Sequence, residues 1–424
     1  MPQHKPPKAI NPFSRIIAIS LLIVTLAALI RIVLPRNLAN SHSTFGVTFQ
    51  RAAKIQDYWT AKTIATMPYN YEKERLVAEL AVTRAAILTK RVFHEKAKGT
   101  LNKDDKSPVT IGDFGAQALI IQAIKSVFPD DEIVGEEEAS ELRQDEKLRS
   151  QIWELVNNTR LSDPETEKII GGPIPSVEAM LDAIDAGNSA GGAKGRIWAL
   201  DPIDGTKGFL RGGQYAVCLG LMVDGDVKVG VLGCPNLPVD DTVQLTGTEG
   251  ANQDDSEGKG VLISAAQGQG AQSRALTTGA LAEAKPIKMR GITNPEEATF
   301  CESVEAGHSS HDDQSKIAKK LGITKPSVRM DSQAKYASIA RGAGDIYLRL
   351  PVSATYVEKI WDHAAGDLIV REAGGEVTDA VGRRLDFSKG RTLAENKGVV
   401  AAPKDLHPRV LEVVKDVLGS KNKL

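Results

Sequence analysis

The sequence predicts a layered protein of the α/β or α+β class, in which helices and strands are mixed without a regular repeat. Apolar residues at helical spacing over 71–98 and about 114–127 indicate two helices with one buried face. Apolar runs typical of buried strands follow at 196–200 and 216–234, and Asp224-Gly225 divides the second run as a two-residue hairpin turn. Such helices and strands bury their apolar faces by packing in layers.

The remaining segments extend this pattern. Short apolar runs predict further strands near 132–134, 261–265 and 346–350, and the charged stretch 136–157 is expected to be partly helical. A helix over about 364–373 is expected to end at Gly374-Gly375. Glycines and prolines concentrated over 159–195 predict a long surface excursion, and the polar stretch 252–259 predicts a loop.

Composition and charge exclude several classes of protein. The chain has 424 residues, of which 42% are hydrophobic, so it is long enough to bury a substantial core. A net charge of −1 argues against a nucleic-acid coat protein. That total combines a basic, acid-free segment over 1–56 with a body that has 46 basic and 54 acidic residues. Three cysteines without CxxC spacing favour buried thiols over a disulfide scaffold or zinc site: Cys218, Cys234 and Cys301.

The basic segment over 1–56 is predicted to be a targeting or membrane-anchor segment. It contains the uncharged run Ile16–Ile30, which is short for a membrane span and apolar on all faces. A mitochondrial presequence is favoured, with an internal-membrane anchor or an extension on a soluble, cytoplasmic protein as the alternatives. A linker over 57–70 is expected to precede a catalytic domain over 71–424, for which two lobes, about 71–250 and about 251–424, are one arrangement.

An acidic constellation carries the predicted chemistry. A buried strand delivers Asp201 and Asp204 into the turn DPIDGT, with the Ile203 carbonyl between them. Such an all-oxygen nest suits a hard divalent ion, Mg²⁺ in particular. The following run, 205–208, can present backbone N–H groups to a phosphate at the start of a helix. The alternative is an Asp-Pro turn capped by its own side chains.

Three other acidic residues have similar settings beside glycine at the ends of predicted elements. Each has a plain alternative: Asp113 and Asp362 as helix caps, and Glu136 as a solvated carboxylate in an acidic run. Their repeated occurrence in such positions favours one shared acidic site.

Motifs along the chain resemble those of the lithium-sensitive, magnesium-dependent phosphatase superfamily that includes inositol monophosphatase and fructose-1,6-bisphosphatase. The motifs are GDFGAQ, VGEE, WALDPIDGTKGFLRGGQYAVCLGL and IWDHAAGDLIVREAGG. Within that superfamily, GHSSHDDQ, DSQAKY and YLRLP resemble the 3′(2′),5′-bisphosphate nucleotidases of fungi and plants. The resemblance runs from about Glu72 to the C-terminus, and it implies an α+β sandwich of alternating α/β/α/β/α layers.

The resemblance implies a role for each matching residue. Asp113 and Thr206 match the pair that helps deprotonate the attacking water. The implied Mg²⁺ ligands are Glu136, Asp201, the Ile203 carbonyl, Asp204 and Asp362. The implied substrate-binding residues are Thr206, His308, Ser332, Lys335, Arg349 and Asp362. Lys335 and Arg349 have ordinary solvated basic residues as their alternative, and a transition-metal site at His308 and His311 is disfavoured because the implied ligands are all oxygen.

The implied activity is Mg²⁺-dependent removal of the 3′-phosphate from adenosine 3′,5′-bisphosphate and from 3′-phosphoadenylyl sulfate. The products would be AMP or adenylyl sulfate and phosphate, in support of sulfate assimilation and salt tolerance, with lithium sensitivity. An inositol phosphate phosphatase of the same fold and a non-catalytic, membrane-tethered nucleotide-binding protein are the alternatives. The expected partner is a small nucleotide rather than nucleic acid, with membrane contact through Ile16–Ile30 as a further possibility and the oligomeric state left open.

Overall fold

A computed structural model describes residues 70–97, 108–240, 258–305, 309–351 and 356–419 of the chain. The predictions for the first 69 residues, for His308 and for most of the loop over 252–259 lie outside these ranges.

Helices and two sheets make up the described part. The helices are α1 (Glu72–Ala97), α2 (Pro108–Val127), α3 (Ser140–Gln144), α4 (Glu146–Asn157), α5 (Pro164–Ile169), α6 (Val177–Asp185), α7 (Thr206–Arg211), α8 (His311–Leu321), α9 (Ala334–Ala340), α10 (Ala364–Glu372) and α11 (His407–Gly419). The strands are β1 (Glu132–Gly135), β2 (Arg196–Asp204), β3 (Ala216–Val223), β4 (Asp226–Pro238), β5 (Lys259–Ala266), β6 (Ala271–Ala275), β7 (Lys285–Ile287), β8 (Phe300–Glu302), β9 (Val328–Arg329), β10 (Ile346–Arg349), β11 (Gly375–Thr378) and β12 (Val399–Pro403).

The first sheet follows chain order, β1 to β7, and the second has the order β11-β12-β10-β8-β9. In the first sheet β1 and β2 are parallel, and the pairs from β2 onward are antiparallel. The predicted hairpin joins β3 to β4, with both turn residues, Asp224 and Gly225, in the left-handed conformation. The first sheet ends at Ile287, later than the proposed lobe boundary near residue 250, because β5 continues the sheet by pairing with β4.

The two sheets and their helices form five layers. Helices α1 and α2 cover one face of the first sheet, where Trp198 and Leu200 enter their core. The alternate residues Ile197 and Ala199 face the opposite core, which α9 and α10 share with the second sheet. Helices α8 and α11 cover the outer face of the second sheet. The predicted α/β/α/β/α sandwich is therefore confirmed.

The predicted surface excursion over 159–195 is wrong. This segment contains α5 and α6, and its apolar residues enter the core, with Ile170, Ile174 and Met180 all buried. Asp163 and Ser176 cap the two helices through their side chains. The glycines and prolines mark breaks between short buried helices rather than a solvated loop.

Helix α2 begins at Pro108, one and a half turns earlier than predicted. Proline is tolerated at the first helical position because that position needs no intrahelical N–H bond. The glycine weakens the helical pattern here, but Gly112 allows close packing: a Cβ at this position would lie 2.6 Å from Cδ1 of Ile203, and the Ile203 side chain would have to shift. Asp113 consequently lies within the helix, and its interpretation as a helix cap is wrong.

The three cysteines are free and buried, as predicted. Among the described residues, no helix has both the length and the apolar character needed to cross a membrane. The candidate membrane segment Ile16–Ile30 lies outside those residues.

Candidate active site

The two aspartates of DPIDGT lie at the end of β2, where the pairing with β3 is irregular. Asp201 pairs with Cys218 and Asp204 with Ala216, so β2 has one extra residue in this interval. Residues three apart on a regular strand face opposite sides of a sheet, and a one-residue bulge reverses that parity. The bulge therefore brings both carboxylates to the same side, with Ile203, the predicted carbonyl ligand, between them.

The structure brings a third predicted ligand to this pair. Carboxylate oxygens of Asp201, Asp204 and Asp362 lie within 4.8 Å of one another. Oδ1 of Asp201 is buried and has no hydrogen-bond partner among the described residues. Such a group is costly to bury unless it gains a partner. A divalent cation would supply that partner, so the donor set fits a hard metal ion.

Asp362 does not cap the helix that follows it. The residue before α10 is His363, and neither a cap bond from Asp362 nor one from His363 is formed. The helix-cap alternative for Asp362 is therefore wrong, and its carboxylate faces the acidic cluster instead.

Two more predicted residues complete the acidic cluster. Glu136 follows β1; part of the residue is exposed, but its carboxyl group is largely removed from solvent and interacts with that of Asp201. Asp113 is buried in α2 and interacts electrostatically with Asp201 and Glu136. The neighbouring Glu137, which the sequence did not single out, also acts on both Asp113 and Glu136.

The crowding of these carboxyl groups changes their protonation. Loss of solvent, and then the negative charges of Glu137 and Asp204, raise the pKa of Glu136 to about 7. Burial and the neighbouring carboxylates raise the pKa of Asp201 and of Asp362 well above the usual range. Without a cation, the cluster thus opposes its own ionisation, whereas a bound divalent ion would favour the ionised form.

These shifts predict a pH-dependent stability for the metal-free protein. A carboxyl whose pKa is raised on folding binds more protons in the folded state than in the unfolded state. The protein therefore loses stability as the pH rises from the carboxyl's unfolded pKa to its folded pKa. For Glu136 that window runs from about 4.5 to about 7. In EDTA, we expect a lower Tm at pH 7.5 than at pH 5.5 and a smaller difference in Glu136→Gln. An equal change in Tm between pH 5.5 and pH 7.5 in the wild type and in Glu136→Gln would contradict this assignment.

A glycine allows the DPIDGT turn to approach the DSQAKY segment. Gly205 precedes α7 with φ of +88°, and a Cβ there would lie 2.8 Å from Cβ of Ser332. Ser332 is itself in the left-handed conformation, with φ of +67°. Thr206, the first residue of α7, is exposed beside this contact.

Gly205→Ala is expected to destabilise the protein by about 1–3 kcal/mol, because it adds both backbone strain and a steric contact. Gly172→Ala is the matched control, since Gly172 has φ of +70° but no atom within 4 Å of its Cβ position. The free energy of unfolding, measured in urea, should fall more for Gly205→Ala than for the control. Equal losses would show that the approach of Ser332 is unimportant.

The predicted substrate-binding cations lie beside the acidic cluster and are not solvated surface residues. Lys335 is 3% exposed, and its Nζ donates to the Ser332 carbonyl at 2.8 Å. Burial lowers the pKa of Lys335, and the charge of Asp204 opposes that shift. Arg349 lies at the end of β10, with its side chain 13% exposed. The alternative of ordinary surface residues is wrong for both.

A hydrogen-bonded chain of residues holds Arg349. Its Nε donates to Oε1 of Glu358 at 3.0 Å, and its guanidinium lies 6.0 Å from the ring centre of Tyr356. The other carboxylate oxygen of Glu358 lies 3.3 Å from Nε2 of His363, whose Nδ1 is 2.9 Å from the Tyr336 hydroxyl. Arg349, Tyr336 and His363 belong to the quoted motifs, whereas Tyr356 and Glu358 lie between two of them, and the contacts alone show how these residues act together.

His311, the second histidine of the disfavoured transition-metal pair, belongs to α8, and its Nε2 lies 3.1 Å from the Ser303 carbonyl. Ser332, predicted to bind substrate, is 9% exposed, and its hydroxyl accepts the Ala334 N–H at 3.0 Å. His308 lies outside the described residues, so its proposed nucleotide contact stays a prediction.

The fold, together with an acidic cluster that fits a metal ion, is that of a phosphatase. The chain belongs to the inositol monophosphatase family, whose model matches residues 70–418. The predicted family resemblance is thereby confirmed.

More specific similarity comes from two curated fungal proteins. The chain is 68% identical over 349 residues to the 3′(2′),5′-bisphosphate nucleotidase of Emericella nidulans, covering 82% of this chain and 99% of that protein. It is 49% identical over 348 residues to the 3′(2′),5′-bisphosphate nucleotidase of Schizosaccharomyces pombe, covering 81% and 95%. Mycobacterium tuberculosis SuhB shares the fold, with a TM-score of 0.50 at 19% identity, over 83% of this chain and 99% of its own.

Proposed function

We propose that this protein is a Mg²⁺-dependent phosphatase that removes the 3′-phosphate of adenosine 3′,5′-bisphosphate, releasing AMP and inorganic phosphate. The observation that carries the proposal is the cluster of Asp201, Asp204 and Asp362, in which a buried carboxylate oxygen lacks a hydrogen-bond partner within the described part of the chain. The names of the fungal relatives support the nucleotide as substrate.

The metal would be held by the carboxylates of Glu136, Asp201, Asp204 and Asp362 and by the carbonyl of Ile203. When bound, the divalent ion neutralises phosphoryl charge and makes water a better nucleophile. The protein itself contributes mainly position, because phosphoryl transfer asks for little covalent chemistry from side chains.

Asp113 and Thr206 are proposed to orient the attacking water. Thr206 is exposed at the start of α7, where its hydroxyl can hydrogen-bond a water at the rim of the cluster. Burial and two neighbouring glutamates raise the pKa of Asp113 well above its usual range. A carboxylate with a raised pKa is a better proton acceptor, which suits it to take a proton from that water through Thr206.

Positive charge beside the cluster supports an anionic nucleotide as substrate. Arg349 is held by Glu358, with its guanidinium carbon 6.0 Å from the ring centre of Tyr356, and such a restrained guanidinium suits bidentate recognition of a phosphate. Lys335 and Ser332 line the same side through the turn before α9. We propose 3′-phosphoadenylyl sulfate as a second substrate, with a role in sulfate assimilation and salt tolerance and with lithium as an inhibitor.

An inositol phosphate remains the second candidate substrate because its phosphatases share this family's fold. Arg349 and its supporting residues favour the nucleotide. A non-catalytic binding protein is disfavoured, because binding alone does not require Asp113 beside the carboxylate cluster.

The test is phosphate release by the full-length chain from adenosine 3′,5′-bisphosphate, with and without Mg²⁺, followed by identification of the nucleotide product. We expect AMP that retains its 5′-phosphate, and no turnover in EDTA. Release of the 5′-phosphate, or activity unchanged by EDTA, would contradict the proposal.

For the segment 1–56, we propose a mitochondrial address, supported by its acid-free, basic composition. Imaging of a protein tagged at its C-terminus should show mitochondrial signal, and sequencing of the mature N-terminus should show cleavage. An uncleaved chain on internal membranes would instead support anchoring through Ile16–Ile30.

A further inference from the structure

We infer that Gln333 is a positioning residue that holds the Asp204 and Asp362 segments of the metal site at a fixed separation. The two segments are far apart in the chain, at the end of β2 and before α10. Their carboxylates must meet at one point for a cation to bind both. The inference rests on the metal site of the proposed function, and it concerns a residue that contributes no ligand atom itself.

Gln333 contacts both ligand segments. Its backbone N–H donates to Oδ2 of Asp204 in a short hydrogen bond. Its side-chain Nε2 donates to the carbonyl of Trp361, the residue before Asp362, at 2.8 Å. Its Oε1 accepts the N–H of Gly366 at 3.0 Å. One residue therefore connects the DPIDGT turn to both sides of the WDHAAG turn.

The primary amide is the group that these contacts require. It donates to a carbonyl with one end and accepts from an N–H with the other, so its orientation is fixed by its partners. Gln333 is 2% exposed, and a buried amide that loses these partners cannot replace them with solvent. A methionine has a similar length but can form neither bond, so it would leave the Trp361 carbonyl and the Gly366 N–H unpaired.

The local backbone directs Gln333 into this position. Ser332, with φ of +67°, turns the chain immediately before it. Lys335 stabilises that turn by donating to the Ser332 carbonyl at 2.8 Å. On the other side, Arg211 of α7 donates to Oδ2 of Asp331 at 2.6 Å. Ser332 is thus held by Lys335, and Asp331 is held by the helix that follows DPIDGT.

The third ligand segment is held by different side chains. Gln117 of α2 donates to the Glu137 carbonyl at 2.7 Å and accepts the Glu137 N–H at 3.1 Å. Arg391 donates to the Gly135 carbonyl at 2.6 Å, on the other side of Glu136. Loss of the Gln333 amide should therefore disturb the Asp362 segment and its distance from Asp204, while leaving the backbone bond to Asp204 and the Glu136 segment in place.

The test measures Mn²⁺ binding to the full-length chain by electron paramagnetic resonance, a readout independent of turnover. Gln333→Met is expected to weaken Mn²⁺ binding about ten- to hundredfold, as loss of a partner that orients metal ligands typically does. Ser338→Ala is the matched control: Ser338 is buried in α9, the helix that follows Gln333, but its hydroxyl contacts Sδ of Met330 rather than a ligand segment. The control should bind Mn²⁺ like the wild type.

A second readout separates positioning from general structural damage. For Gln333→Met, the Mg²⁺ concentration that gives half-maximal phosphate release should rise, with most of kcat recovered at saturating Mg²⁺. If near-ultraviolet circular dichroism shows that the methionine variant does not fold, Gln333→Asn carries the same test, because its amide is one methylene too short to keep both bonds.

Unchanged Mn²⁺ affinity in a folded Gln333 variant, with a wild type that binds the ion, would overturn the inference and leave the proposed function intact. Equal weakening in Ser338→Ala would also overturn it. If the wild type itself bound no Mn²⁺, the proposed metal site would fail together with the inference.

Discussion

Replacing Asp201 by asparagine is expected to reduce phosphate release about a thousandfold, because loss of a metal-ligating charge removes several kcal/mol of transition-state stabilisation. The same substitution should raise the Tm of the metal-free protein. Asp201 is buried beside the charges of Glu136, Asp204 and Asp362, and these raise its pKa well above the usual range. Asparagine fills the same volume without a charge to bury.

The two effects are measured by steady-state phosphate release with Mg²⁺ and by thermal unfolding in EDTA. Asp182→Asn is a suitable control, because Asp182 is an exposed carboxylate that pairs with Arg143 away from the cluster. A variant that kept full activity would contradict the metal assignment. A lower Tm in EDTA would contradict the electrostatic account of the cluster.

Replacing Arg349 by alanine is expected to raise KM for adenosine 3′,5′-bisphosphate by about ten- to hundredfold. A charge-assisted bond contributes about 1.5–3 kcal/mol, and 1.4 kcal/mol corresponds to a factor of ten in affinity. Arg349 is favourable for such a bond because Glu358 and Tyr356 already restrict its side chain. Arg349→Lys should recover only part of the loss, since lysine cannot form the bidentate contact.

The Mg²⁺ requirement of Arg349→Ala provides an internal control. The Mg²⁺ concentration that gives half-maximal activity should change much less than KM for the nucleotide, because Arg349 is not a predicted metal ligand. Arg329→Ala is the matched control: Arg329 is an exposed arginine on the neighbouring sheet edge and pairs with Glu302. An unchanged KM in Arg349→Ala would place the nucleotide elsewhere.

The residues of the acidic cluster could be named from the sequence, but their geometry could not. DPIDGT and WDHAAG identify Asp201, Asp204 and Asp362 because each motif joins a carboxylate to a conformationally special turn. The bulge that places Asp201 and Asp204 on one side of β2 depends on pairing with β3, which spacing within one strand does not reveal.

The largest error in the predicted fold also arises from tertiary contacts that the local sequence does not reveal. Over 159–195, frequent glycine and proline indicated a solvated segment, whereas the structure buries α6 through Met180, Leu181 and Ile184. Short helices carry little periodicity, so the tertiary contacts that bury them are not visible locally. In α2, packing of Gly112 against Ile203 likewise overrides the low helix propensity of glycine.

The supporting residues were the least predictable part of the site. Gln333 lies in the DSQAKY motif and Glu358 lies just before IWDHAAG, but an amide or carboxylate gains a positioning role only through its partners. Those partners lie in another segment, as with the Gln333 amide and the Trp361 carbonyl, or on a nearby strand, as with Glu358 and Arg349 of β10.

The central claim is that the acidic cluster acts on a nucleotide 3′-phosphate rather than on an inositol phosphate. It is tested most directly by presenting the full-length chain with equal concentrations of adenosine 3′,5′-bisphosphate and myo-inositol 1-phosphate in Mg²⁺. The ratio of the two initial rates then gives the ratio of kcat/KM. Faster consumption of the nucleotide, reversed or abolished in Arg349→Ala, is the result predicted here. Faster consumption of the inositol phosphate by the wild type would contradict it.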